Sequence, residues 1–165
     1  MSTKTLIKGQ YTTFGPDEIW TLYNNLHGIF RGGGNTSSPK LTRAAGLRKT
    51  DLRIVYDPIK KQEMVHPDKT KGLSFADSIE TLADKKLEGW VWRIPKGKTL
   101  PKDLTFNVKD FNHPLLNVSR IMSVSDMTEL LVELAKLMEP CYVKIGKMGN
   151  IIEKHPGALV KVQQK

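Results

Sequence analysis

The chain is poor in cysteine, histidine and acidic side chains, and it has no long apolar run. Its one cysteine, Cys141, excludes an intramolecular disulfide and a cysteine-based zinc site, and points to a reducing compartment. A membrane-crossing helix needs about 20 consecutive apolar residues, and no segment approaches that. No membrane span is expected, therefore. The opening MSTKTLIKGQYTT lacks the apolar core of a signal peptide, so the expected location is cytoplasmic. The four histidines, His27, His66, His113 and His155, are scattered, each beside a glycine or proline, which predicts turn or surface roles and no bound metal. A nucleophile elbow, a Walker loop, a dinucleotide fingerprint, paired zinc histidines and a calcium loop are all missing.

What is present is positive charge and enough apolar residues to fold. Lys and Arg number 26 against 17 Asp and Glu, a formal charge of +9. Such a surface favours acidic partners: nucleic acid, anionic lipid, a phosphate-bearing cofactor or an acidic protein. At 165 residues, 39% hydrophobic and with 12 aromatic side chains, the chain has the size and content of one globular domain.

Local patterning predicts an α+β domain with a few short helices. Residues 1–14 read as an N-terminal arm or edge strand. Pro16, Asp17 and Glu18 open a short helix, followed by a strand at Ile29-Phe30-Arg31. The run Gly32-Gly33-Gly34-Asn35-Thr36-Ser37-Ser38-Pro39 predicts a flexible or tightly turned loop. Strands are expected at 51–56, 63–65, 90–95, 104–108, 118–124 and 141–145, with another at 158–162. A short helix is expected within 40–48, and one over 74–83 capped by Ser74 or Asp77. The clearest helix is 125–138, with Leu130, Leu131, Leu134 and Leu137 on its apolar stripe and Ser125 or Asp126 as cap. Residues 139–165 read as a basic C-terminal extension.

The candidate site residues form a loose set. Arg31 ends a strand beside three glycines, where its planar fork could meet a phosphate as the backbone comes close. Arg48 stands three residues before Asp51, and Ser74 lies in Gly72-Leu73-Ser74-Phe75. In order along the chain come Arg31, Asn35-Thr36…Pro39, Arg48…Asp51, Val65-His66-Pro67-Asp68, the Gly-Leu-Ser-Phe turn with Asp77, Trp92 to Leu104, and Met127 with its helix. That order resembles the type six secretion exported effector two family, bacterial toxins with an ADP-ribosyltransferase-like fold. The likeness runs from about Gly28 to Leu137 and is densest from Trp92 to Leu104.

The resemblance implies a single ADP-ribosyltransferase-like domain over 1–165, with a split mixed or antiparallel sheet at its core. It implies NAD as substrate, with no metal. Arg31 and Ser74 would be catalytic, and Arg31, Gly32, Arg48, Ser74, Phe75 and either Asn107 or Lys109 would bind NAD. The chain departs from the family at Asn117-Val118-Ser119-Arg120, where a histidine-bearing strand is usual. The glutamate of orthodox ADP-ribosyltransferases has no counterpart either, since Glu129 and Glu133 fall on the predicted helix. The expected role is that of a cytotoxic effector, delivered into a recipient cell by a secretion system without a signal peptide. It would modify a macromolecular target and be neutralised by an immunity protein, expected to be acidic given the +9 charge. The alternatives are a catalytically silent relative of that family and a basic nucleic-acid-binding domain.

Overall fold

Which face of each strand is apolar decides how this chain layers. In strand β2 (Gly28–Gly34) Ile29 and Phe30 are both fully buried, and they enter different cores. In β6 (Gly89–Pro95) Val91 goes one way while Trp92 and Ile94 go the other. A sheet apolar on both faces must be covered on both. The computed structural model, which describes residues 4–41, 47 and 49–154, shows how.

Among the described residues are three antiparallel sheets and three helices, α1 (Ile19–Leu22), α2 (Ile79–Asp84) and α3 (Val124–Leu137). The first sheet runs β1 (Thr12–Phe14), β7 (Leu104–Val108), β8 (Leu115–Val118), β5 (Leu73–Ser74). The second runs β11 (Ile151–Lys154), β10 (Glu139–Ile145), β6, β2. A third, smaller sheet joins β3 (Arg53–Asp57), β4 (Gln62–His66) and β9 (Met122–Ser123). The larger core gathers Ile29, Trp92 and Ile94 of the second sheet, Leu104, Phe106, Leu116 and Val118 of the first, and Met127, Leu131 and Leu134 of α3. The smaller core lies on the opposite face of the second sheet. There Ile79 and Leu82 of α2 cover Phe30, Val91, Cys141, Val143 and Ile145.

The two large sheets meet along one short segment. Leu73 and Ser74 pair with Leu116 and Leu115 of β8 on one side. Two residues on, Ala76 exchanges both backbone hydrogen bonds with Phe30 of β2, each 2.8 Å long. Segment 73–76 is thus the seam between the sheets.

Several elements differ from their sequence-based expectation, each for a physical reason. Gly32, Gly33 and Gly34 are not a free loop but the end of β2. A Cβ on Gly34 would come within 2.8 Å of the Trp92 ring, and one on Gly89 within 2.7 Å of the Gly33 backbone. With Gly33 and Gly89 both at positive φ, the glycines let β2 and β6 continue side by side through a register shift. Ser74 belongs to strand β5 and caps no helix. Ser78 is the residue that accepts from the Thr81 amide at the start of α2. Ser123, not Ser125 or Asp126, caps α3 by accepting from the Asp126 amide. Residues 139–154 are no appendage: β10 lies inside the second sheet between β6 and β11. The strand expected at 158–162 and most of the helix expected within 40–48 lie outside the described residues. No helix among the described residues is long and apolar enough to cross a membrane.

Candidate functional site

Arg31 stands at the seam. It follows Phe30, whose backbone pairs with Ala76, and strand alternation turns its side chain to the face of Ile29, opposite Phe30. There its Nε donates to the Lys40 carbonyl at 2.9 Å and its Nη1 to the Ser74 carbonyl at 2.6 Å. The guanidinium carbon lies 5.6 Å from the centre of the buried Phe75 ring, within cation–π reach. Arg31, Ser74 and Phe75, 43 residues apart in sequence at the first pair, are therefore one cluster. The contact with Ser74 goes through its main chain, which leaves the hydroxyl to other work.

That hydroxyl has a partner. Ser74 Oγ lies 3.0 Å from Nε2 of His113. Phe75 donates its amide to the Pro114 carbonyl at 2.9 Å, and this bond holds the start of β8 against the end of β5 and carries His113 with it. Partial burial pushes the His113 pKa below its ordinary 6.5; Lys85 acts in the same direction and Asp110 opposes it. Near neutral pH the ring is uncharged, so Nε2 can accept from the serine.

Ser74 and His113 open onto a polar cleft of about 340 Å³, whose rim carries Lys71, Lys109 and Asp110. Lys109 lies 5.7 Å over the Tyr11 ring, which also lines the cleft. Lys109 and Asn107, alternatives in sequence, have separate surroundings. Asn107 is 4% exposed, accepts from Thr13 Oγ1 at 2.7 Å and donates to the Asp68 and Lys71 carbonyls. It holds the 68–71 turn in place and does not line the cleft. Asn117 donates to the same two carbonyls at 3.2 and 3.0 Å.

Gly32 is not part of the cleft. A Cβ there would meet Leu87 at 3.3 Å, so its role is to let β2 pass close to the chain leaving α2. Arg48 lies outside the described residues. Among the described residues no group of three or more His, Cys, Asp or Glu side chains could hold a metal ion. Sequence patterning singled out Arg31 and Ser74, the resemblance added Phe75, and His113 was passed over. Nothing local distinguishes it from the other histidines, and its partner is 39 residues away.

Comparison of the chain with protein-family models, with curated proteins and with solved structures returns no match.

Proposed function

We propose that this protein is a cytotoxic effector with an ADP-ribosyltransferase-like fold, which uses NAD to modify a macromolecular target and is neutralised by an acidic immunity protein. The observation that carries the reading is the seam cluster. An arginine on the edge of one sheet is oriented by the carbonyl of Ser74 on the other and by the ring of Phe75. The resemblance implies that Ser74 holds either Arg31 or the nicotinamide ribose, and the carbonyl contact supports the first. The +9 charge supports an anionic dinucleotide and an acidic inhibitor alike.

In this reading the protein's task is electrostatic. The bond from ribose C1′ to nicotinamide breaks with oxocarbenium character, so the nucleotide must be held bent and its diphosphate matched by positive charge. Arg31, fixed by two carbonyl bonds, supplies that charge at the seam. Phe75 forms an apolar wall beneath it, and the cleft beside Ser74 admits the acceptor.

The test is transfer of label from radiolabelled NAD into a bacterial lysate, run with wild type, Arg31→Ala and Arg31→Lys. The wild type is expected to label a discrete band and arrest growth on expression. The lysine variant keeps the charge but loses the planar fork, and both variants are expected to lose labelling by about 100-fold or more. A folded wild type that neither binds NAD by calorimetry nor labels any protein overturns the reading.

A further inference from the structure

Resting on that reading, we infer that His113 is the proton acceptor of the site, acting through the Ser74 hydroxyl on an acceptor hydroxyl group that enters by the polar cleft. The glutamate of orthodox ADP-ribosyltransferases has no counterpart in the sequence, and the described structure offers this histidine in its stead. The placement follows from topology. β5, which carries Ser74, pairs with β8, and His113 sits two residues before β8 begins. The amide of Phe75 bonded to the Pro114 carbonyl fixes that approach. Nε2 of His113 is then 3.0 Å from Ser74 Oγ, inside the range for proton transfer between heavy atoms. Both side chains face the cleft, so a group entering it meets the serine hydroxyl and the imidazole together.

The step balances without any further reactant. The electron pair of the ribose C1′–nitrogen bond leaves with nicotinamide and neutralises its ring. The acceptor oxygen forms the new bond to C1′. Its proton passes to Ser74 Oγ as the serine proton passes to His113 Nε2, and bulk water later removes it. Water in the acceptor's place would give hydrolysis by the same route. Ser74 ends the cycle unchanged, so it is a relay and not a nucleophile.

Only the neutral imidazole can take the proton. Lys85 and Asp110 act on its charge, and Asp51, Lys71, Lys109 and Tyr11 line the same cleft. Burial and Lys85 outweigh Asp110, so the ring stays neutral to a lower pH than a free histidine.

The experiment measures nicotinamide release from NAD between pH 5 and 8 by wild type, His113→Gln, His113→Ala and Ser74→Ala. NAD affinity by calorimetry and the His113 ring signal by NMR are read in parallel. The wild-type rate is expected to fall as pH drops through the His113 titration seen by NMR, at a pH below 6.5. His113→Gln keeps a ring-sized polar group but no base, and should lose about 100-fold or more in rate with unchanged NAD affinity and a flat profile. Ser74→Ala should also slow release and shift the NMR titration. A folded His113→Gln protein within about threefold of wild type, or with the wild-type pH profile, overturns the role of His113 while the transferase reading stands. Should wild type neither bind NAD nor release nicotinamide, both fall together. Binding without release in wild type overturns the role of His113 and leaves the seam as a nucleotide-binding site.

Discussion

Asn117 reaches from β8 with both amide hydrogens, one to the Asp68 carbonyl and one to the Lys71 carbonyl, while its Oδ1 accepts from the Val118 amide at 2.7 Å. It is fully buried. Asn107 on β7 donates to the same pair of carbonyls, and the turn is closed from within by Asp68, whose carboxylate accepts from the Thr70 amide and hydroxyl. Those bonds hold the Asp68 carboxyl below its ordinary range. The clamp positions Thr70 and Lys71, which line the cleft. Asn117→Ala removes the side-chain acceptor of the buried Val118 amide and leaves the Asp68 and Lys71 carbonyls to Asn107 alone, which costs about 1–3 kcal/mol. We expect a loss of that size in urea unfolding, and faster hydrogen exchange in the 68–71 turn. An unchanged midpoint would show that water replaces the clamp.

At the scale of elements, the glycine seam between β2 and β6 is the most constrained piece. Gly89 sits at φ +124° with a missing Cβ that would lie 2.7 Å from the backbone of Gly33. Gly89→Ala is expected to cost at least about 1–3 kcal/mol from strain alone, read as a lowered melting temperature. Gly97→Ala is the comparison for strain without contact, because its φ is also positive but nothing lies within 4 Å of its missing Cβ. Equal losses in the two would mean that contact with β2 adds nothing.

These elements were unequally legible in the sequence. α3 and β6 were clear because leucines at helical spacing, and a Trp-Val-Trp run stopped by Pro95, each state one period over many residues. Gly32 to Gly34 carry no side chain and so no period, and their strand conformation is imposed by Gly89 and Trp90 across the pair. β11 is exposed at every residue and shows no apolar alternation. Within the candidate site, Arg31 stands out in the sequence as an arginine at a strand end beside three glycines, and Ser74 as the hydroxyl of Gly72-Leu73-Ser74-Phe75. His113 does not, since only the pairing of β5 with β8 brings it to Ser74.

For the molecule as a whole, two buried acidic hydrogens tie stability to alkaline pH. Burial pushes the Cys141 thiol up to about 12 from 9.0, the nearby Glu139 adding to the shift and Arg93 opposing it. Burial also raises Tyr23, whose hydroxyl donates to the Phe111 carbonyl, and Asp77 adds to that. Above pH 9 the unfolded thiol ionises while the folded one keeps its proton, so the native state binds more protons and stability falls as pH rises. Below pH 9 this contribution is fully present; it is lost progressively between 9 and 12. Urea unfolding at pH 8, 9, 10 and 11 should show the decline, with a slope approaching about 1.4 kcal/mol per pH unit for each group. Cys141→Ala should remove the thiol's share, and identical slopes would take Cys141 out of the account.

The position of β10 within the second sheet bears on how the chain is made. β2 and Arg31 come early, yet the sheet that holds them depends on β6 and then on Glu139–Ile145, more than a hundred residues later. Until those residues emerge from the ribosome, β6 has a bare edge, and Phe30, Val91 and Leu82 lack Cys141, Val143 and Ile145 as neighbours. Pairings so distant in sequence close late. A nascent chain halted before residue 139 therefore carries every residue of the seam cluster and cannot set them on a finished sheet. Synthesis itself delays assembly of the sheet under Arg31 until Ile145 has been made.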